Sequence, residues 1–367
     1  KGGNLLINIF LCLIIVTINN QQLTINNYFM INLISDTVTK PSREMLEYMM
    51  SAELGDDVFG EDPTVNALQE KVAKMFGMED ALFCPSGTMT NQIAIKVHTR
   101  PLDEMICDQW SHVYQYEVGG YAFHSGIAVN PLIGKYGKIT ASQIEEAIKP
   151  EEDWLPRTTL VVLENSTNKG GGNYYTLDEI KPIQDLCDER GLALHLDGAR
   201  LMNVLVETGE STQDVGSYFD SISLCLSKGL GTPGGSILIG RKDFIKEARR
   251  VRKVMGGGMR QTGILAAAAI YALDNNIQQL KVDNDRAKIL GQFLAKQSFV
   301  KEVLPVRTNI LIFELANGRT SSDFITQLKS KGINAAPFGA HSVRFVLHRD
   351  ITDGMIGEVM NLMKDEK

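Results

Sequence analysis

Four short stretches of this chain hold residue types whose setting suggests chemistry. Lys228 sits in Ser227-Lys228-Gly229-Leu230-Gly231-Thr232-Pro233-Gly234-Gly235, where it closes an apolar run and enters a glycine-rich loop. Burial lowers an amine's pKa and frees it for Schiff-base chemistry; the alternative is a lysine that grips phosphate from a loop. Asp197, in Leu194-His195-Leu196-Asp197-Gly198-Ala199-Arg200, ends another apolar run. A carboxylate there is costly unless something positive meets it, and either a protonated pyridine nitrogen or Arg200 would serve. Ser86-Gly87-Thr88 lies between a short apolar run and a helical pattern. Hydroxyls, a glycine and the free N–H groups of a helix start make a phosphate cup, or simply a capped turn. His112 precedes Tyr114, Tyr116 and Glu117. It is either a ring for a flat cofactor to stack on or an ordinary satisfied polar residue.

Strand–helix alternation must position these groups. Asp62-Pro63 opens a helix whose apolar face is Val65, Leu68, Val72, Met75 and Phe76, and Gly77 stops it. Ala81–Cys84, Met105–Cys107, Thr159–Leu163, Leu192–Leu196, Ser221–Leu226 and Ser236–Ile239 are apolar runs of strand length, with a helix through His98 and another over Leu177–Arg190. Near-continuous apolar strands separated by helices predict an α/β domain with a mostly parallel sheet, whose ligands lie beyond the strands' carboxyl ends. After an Ala-rich helix near Gly263–Leu273 the pattern changes. Asn309–Leu315, Phe324–Lys331, Val343–His348 and Asp353–Met363 suggest a smaller α+β unit. The expected organisation is a large domain with an N-terminal arm over 30–280 and a small one over 281–367.

The chain has 367 residues, 44% of them hydrophobic, enough for a large core and more than one domain. A net charge of −7 argues against a bulk electrostatic hold on nucleic acid or an anionic membrane, so any bound phosphate needs a local grip. The five cysteines form no CxxC pair, so a structural zinc site has no support and no metal is expected. Cys84, Cys107 and Cys225 fall in apolar runs, as buried thiols of a reducing, cytoplasmic compartment do. Lys1–Asn27 is rich in Asn, Ile and Leu and has no acidic residue. Its apolar run is short for a membrane span, and Met30 is the expected natural start.

Taken together, a phosphate cup, an acidic strand end and a later lysine follow the order used by fold-type I pyridoxal-phosphate enzymes. No Walker motif is present, and Gly256-Gly257-Gly258 is not a dinucleotide fingerprint. The longer motifs are LISDTVTKPS from Leu33, GDDVFGEDPT from Gly55, PSGTMTN from Pro85, HLDGAR from His195, LCLSKGLGTPGGS from Leu224 and GGGMRQTGILAAA from Gly256. With His112 and Glu117-Val118-Gly119-Gly120, they resemble the low-specificity L-threonine aldolases over everything from Met30 onward.

That resemblance implies pyridoxal 5'-phosphate held on Lys228, with Asp197 pairing the pyridine nitrogen and His112 stacked on the ring. Ser86, Gly87 and Thr88 would cradle the phosphate, with Arg200 beside the cofactor and Arg260 arriving from elsewhere in the assembly. Ser35, Arg200 and Arg344 would take the substrate carboxylate, in a homotetramer built as a dimer of dimers. The implied reaction cleaves L-threonine or L-allo-threonine to glycine and an aldehyde. β-Elimination, racemisation and transfer of the glycine carbanion are the alternatives on the same cofactor. Three positions depart from the family pattern. Trp154 stands where a histidine near the substrate hydroxyl is common, Glu164-Asn165-Ser166-Thr167-Asn168 lacks its usual histidine, and Ile34 replaces an arginine. A bulky Trp154 would favour an aryl aldehyde, and His124 reads as a buried polar filler.

Overall fold

The computed structural model describes residues 30–364; the apolar segment before Met30 and Cys12 lie outside the described residues. After β1 (Ile31–Asn32) the chain builds a seven-stranded sheet from β2 (Asp80–Cys84), β3 (Asp103–Asp108), β4 (Ala128–Leu132), β5 (Arg157–Glu164), β6 (Ala193–Gly198), β7 (Ser221–Cys225) and β8 (Ser236–Gly240). The order is β2-β8-β7-β6-β5-β3-β4, parallel from β4 to β7, with β8 antiparallel to both of its neighbours. This is the expected α/β architecture. β3 and β7 are buried along their whole length, because helices cover both faces of a parallel sheet.

The helices end where their caps dictate. In Pro63–Phe76, the Asp62 carboxylate accepts from the N–H groups of Thr64 and Val65, and proline fills the first turn. Val65, Leu68, Val72 and Phe76 face the core, and Gly77 leaves the helix at φ 65°, where a Cβ is disfavoured.

A second, antiparallel sheet follows, ordered β12-β13-β10-β9, from β9 (Val300–Val303), β10 (Ile310–Leu315), β12 (Ala336–Pro337) and β13 (Ser342–Val346). β1 pairs in parallel with β11 (Ile333–Asn334), and Leu33 accepts from the Val346 N–H. The N-terminal arm is thereby tied to the second sheet, which sets Ile34, Ser35 and Asp36 beside Arg344. The two sheets have separate apolar cores. The helix Ile277–Leu294 joins them, with Leu280 in the larger core and Ala287, Leu290 and Leu294 in the smaller. We propose the domain boundary within this helix, near residue 280. Among the described residues, no helix is long and apolar enough to cross a membrane.

Candidate active site

Parallel strands put their carboxyl ends on one edge of the sheet, and the chemistry-bearing residues follow from that. Ser86 leaves β2, His112 follows β3, Glu164 ends β5, Asp197 lies near the end of β6 and Lys228 follows β7. Ser86 caps the helix Gly87–His98 through Met89 N–H. Among the described residues, the N–H groups of Gly87 and Thr88 have no partner, which leaves a helix start open to an anion. Ser236, at the amino end of antiparallel β8, places a buried hydroxyl without a partner close to Gly87.

Asp197 is buried, and among the described residues it forms no ion pair with a lysine or arginine. Its Oδ2 accepts from Asn91 Nδ2 at 2.9 Å and its Oδ1 from Ala199 N–H at 3.1 Å. The ion pair with Arg200 does not form; Arg200 instead makes a two-pronged bond to Asp36, at 2.7 Å from Nε and 2.6 Å from Nη2. Burial alone would raise the Asp36 carboxyl, but the Arg200 guanidinium overrides it and holds it near 2. The Lys228 charge acts on Asp36 in the same direction, so the lysine belongs to this neighbourhood. Lys228 is half-buried, and its amine has no hydrogen bond or ion pair among the described residues.

His112 Nδ1 lies 2.9 Å from Glu117 Oε1, and this carboxylate also accepts from Asn91 and from Gln92. Burial works to lower the His112 pKa, but the Glu117 hydrogen bond and the Asp197 charge prevail and raise it. The ring is tilted against Tyr116 with centroids 5.5 Å apart. Glu164 fixes the loops on either side, accepting from His112 N–H and Asn168 N–H, both at 2.8 Å. Burial, then the neighbouring Asp197, pushes the Glu164 carboxyl up to about 7.

On the opposite flank, Arg344 donates to Asn168 Oδ1 at 2.8 Å and to the Ile34 carbonyl at 3.2 Å, while its Nε is buried without a partner. Desolvation and then the Arg200 charge lower its pKa, so the two guanidiniums feel one another. Asp36 balances only one of them. Ser35 stands next to it, its Oγ accepting from the Thr37 N–H.

Several expected residues stand elsewhere. Arg260 is half exposed and paired to Asp56 at 2.8 Å, so its expected reach to the phosphate is one made from a second copy. His124 is only half-buried and packs edge-on to Phe123, so it is no buried filler. Trp154 precedes β5 and is exposed. It lies at the amino end of a strand whose site residue, Glu164, is at the other end, roughly 20 Å away at 3.3 Å per residue. By that separation, a role for Trp154 in the chemistry would require a second copy. Ile34 contributes a backbone carbonyl rather than a side chain. Asp36, Asn91, Glu117 and Glu164 carry much of the geometry and had no assigned role in the sequence reading. Their signal was a polar side chain at a strand end or inside a helix that must pack on the sheet.

A cofactor with a phosphate, a flat ring and a basic ring nitrogen fits this edge of the sheet. The open helix start, the His112 ring, the buried Asp197 and the unpaired Lys228 amine match it group by group. The fold and site therefore define a fold-type I pyridoxal-phosphate enzyme. The sequence model of the beta-eliminating lyase family matches residues 32–317. The low-specificity L-threonine aldolase of Escherichia coli K12 is 42% identical over 90% of this chain and 97% of its own length. The low-specificity L-threonine aldolase 1 of Arabidopsis thaliana is 37% identical over 88% and 92%. A solved threonine aldolase of Leishmania major superposes with a TM-score of 0.78 over 90% of this chain and 98% of that one, at 24% identity. A serine palmitoyltransferase of Sphingomonas wittichii shares the fold, with a TM-score of 0.73 over 91% and 86% at 15% identity. The chain belongs to the low-specificity L-threonine aldolase family. It is accordingly a lyase that uses pyridoxal 5'-phosphate.

Proposed function

We propose that this enzyme cleaves L-threonine and L-allo-threonine to glycine and acetaldehyde, and that His112 takes the proton of the substrate hydroxyl. The observation that carries the reading is the division of the site into an anion-seeking flank, Arg200 and Arg344, and a half-buried base, His112 paired to Glu117. Lys228 is the covalent anchor, Ser86, Gly87 and Thr88 hold the phosphate, and Asp197 faces the ring nitrogen. Once bound, the cofactor supplies a sink for the electron pair left on Cα when the Cα–Cβ bond breaks.

The chain's own residues do the rest. Ser35, Arg200 and Arg344 hold the substrate carboxylate, the guanidiniums supplying planar donors and a charge that Asp36 half cancels. Glu117 accepts the His112 Nδ1 hydrogen, which leaves Nε2 as the lone pair that receives the hydroxyl proton. The same nitrogen then holds a proton for return to the product. Glu164 keeps the His112 and Asn168 loops at fixed spacing, so that base and carboxylate grip remain in register.

Half-exposed Arg260 and strongly exposed Phe59 and Val118 support a homotetramer, a dimer of dimers whose contacts complete the phosphate grip, testable by light scattering. Buried free thiols at Cys84, Cys107, Cys187 and Cys225 support a cytoplasmic location. The decisive experiment scores a panel of amino acids for products. Glycine with acetaldehyde from threonine, lost together with the cofactor's absorbance band in Lys228→Ala, supports the reading. Pyruvate and ammonia from serine, without glycine from threonine, would instead make it an eliminating enzyme.

A further inference from the structure

The helix Gly87–His98 packs its most polar face on the sheet, and part of that face has no role in the steps above. His195 and Asp197 share one face of β6, two residues apart. Opposite them on β7 stand Ser221 and Ser223, paired in register. Over the strands lie Asn91 and, two helical turns on, His98.

The hydrogens in this layer are fixed by elimination. Asn91 Nδ2 lies 2.9 Å from Asp197 Oδ2 and 2.9 Å from Glu117 Oε1, both carboxylate oxygens facing a donor. Its Oδ1 must then be the atom 3.2 Å from His195 Nε2, and an amide oxygen only accepts, so Nε2 carries a hydrogen. Burial drives the His195 pKa down to about 3, so the ring is neutral and its Nδ1 is an acceptor. The Ser221 hydroxyl, 2.8 Å away, spends its one hydrogen there. His98 Nε2, 2.7 Å from the same oxygen, must therefore donate. His98 is likewise neutral, pushed by burial to about 4, and stacks on Phe244 at 4.5 Å. It borders a surface groove of about 680 Å³ that also meets Leu192 and Ala193, at the amino end of β6.

We propose that His98 and His195 are positioning residues: with Ser221 and Asn91 they form a one-way hydrogen-bond chain that fixes Asp197 against the cofactor's ring nitrogen. The inference rests on the reading of Asp197 given above. Every donor in the chain points toward the same carboxylate, and aligned dipoles in a dry layer reinforce one another. Among the described residues, the hydrogen bonds to the Asp197 carboxylate come from Asn91 and the Ala199 N–H. The chain also spans the sheet, so the setting of the ring nitrogen is tied to a residue at the opposite edge from the reaction.

The test has two parts. Solid-state nitrogen NMR of histidine-labelled wild-type holoenzyme should show both His195 and His98 neutral with the hydrogen on Nε2. A hydrogen on Nδ1 of either ring overturns the chain, whatever the enzyme's activity. The second part compares His98→Leu with His98→Gln, which keeps an N–H donor at the end of the side chain. In His98→Leu, kcat for threonine should fall about five- to tenfold with KM changed less than about twofold, as expected when a remote member of a polarised network is lost. The pH at which the cofactor's absorbance changes form should shift with it, and apoenzyme should bind pyridoxal phosphate more weakly. His98→Gln should restore all three. A folded His98→Leu indistinguishable from wild type, or a His98→Gln as impaired as His98→Leu, refutes the role. If His98→Leu does not fold, the wild-type spectrum decides. A wild-type protein that binds no pyridoxal phosphate refutes the function instead, and leaves the spectrum to judge the chain by itself.

Discussion

Replacing Asp36 by asparagine tests the substrate flank most directly. Asp36 is fully buried, and its two oxygens receive Arg200 Nη2 at 2.6 Å and Nε at 2.7 Å, with Asn309 Nδ2 at 3.1 Å. Its carboxyl moves from 3.8 to about 2, which corresponds to roughly 2.5 kcal/mol of stability as an order of magnitude. Because the folded-state value is depressed, that stability is complete above the unfolded value and is lost as pH falls through about 2. The substitution should cost more than this. It leaves a buried guanidinium beside Arg344 and Lys228 with no balancing charge, and breaking one side of a buried pair costs about 3–5 kcal/mol. Urea unfolding of the apoenzyme at pH 7 should show a midpoint lower by roughly 1 M, taking a slope near 3 kcal/mol/M. The loss should shrink at pH 2–3, where the wild-type carboxyl also gains its proton. In the folded variant, KM for threonine should rise about tenfold or more while kcat changes less, because Arg200 loses the fork that aims it. A loss below about 1 kcal/mol at pH 7, or an unaltered KM, would show that Asp36 does not organise the carboxylate grip.

Two further perturbations address other parts of the molecule. Glu117→Gln removes the charge that lifts His112 above its ordinary value. The base form of His112 appears only as pH rises through that elevated value, so the acid limb of kcat/KM should move to lower pH in the variant. Its plateau should drop about 10- to 100-fold; an acid limb that stays in place separates His112 from proton transfer. Asp283 is buried in the helix Ile277–Leu294, pushed up to about 7 mainly by burial, and one of its oxygens has no partner. A carboxyl whose folded-state value is raised destabilises the fold increasingly as pH climbs from its unfolded value to about 7. Asp283→Asn should therefore stabilise the apoenzyme by about 1–3 kcal/mol at pH 8 and little at pH 4, read from urea midpoints at both. Equal midpoints at pH 8 would show that the charge is compensated.

Much of the sheet was legible because burial on both faces leaves a mark in composition. β7 reads as a buried strand in which only the small Ser221 and Ser223 interrupt the apolar residues, and Leu177–Arg190 carries its own cap and stop, so its ends match the structure. The direction of the strands then placed Ser86, His112, Asp197 and Lys228 on one edge. The partners of those residues were harder to see. Arg200 follows Asp197 by three residues, and proximity in sequence suggested an ion pair. After β6 the backbone turns, and the guanidinium instead meets Asp36 on an arm tied to a different sheet. Only long-range pairing of β1 with β11 brings that arm in, and two-residue strands have no period to detect. Trp154 is a different case. Its alignment position suggested the site, whereas an eight-residue strand carries it to the far edge. The tautomers of His98 and His195 were equally invisible, since they follow from contacts between a helix and two strands.

The arrangement of charge explains why one site can hold an amino acid and a basic cofactor ring without mixing their partners. Glu117, Asp197 and Glu164 form an acidic bank near the carboxyl ends of β3, β5 and β6, and Arg200 and Arg344 form a basic bank on the side of the arm and second sheet. If the acidic bank were fully charged, repulsion would scatter it. Burial and the Asp197 charge raise the Glu164 carboxyl, which eases this repulsion, and Asn91 donates to both Glu117 and Asp197. The basic bank repels itself in the same way, and Asp36 neutralises one guanidinium without capping the other. What is left is a positive deficit sized for one carboxylate and a negative deficit sized for one ring nitrogen. In the proposed function, a substrate carboxylate held by Arg200 and Arg344 would leave the hydroxyl for the His112 side. The two banks are held by Asp36, which binds Arg200, and by Asn91, which donates to both Glu117 and Asp197.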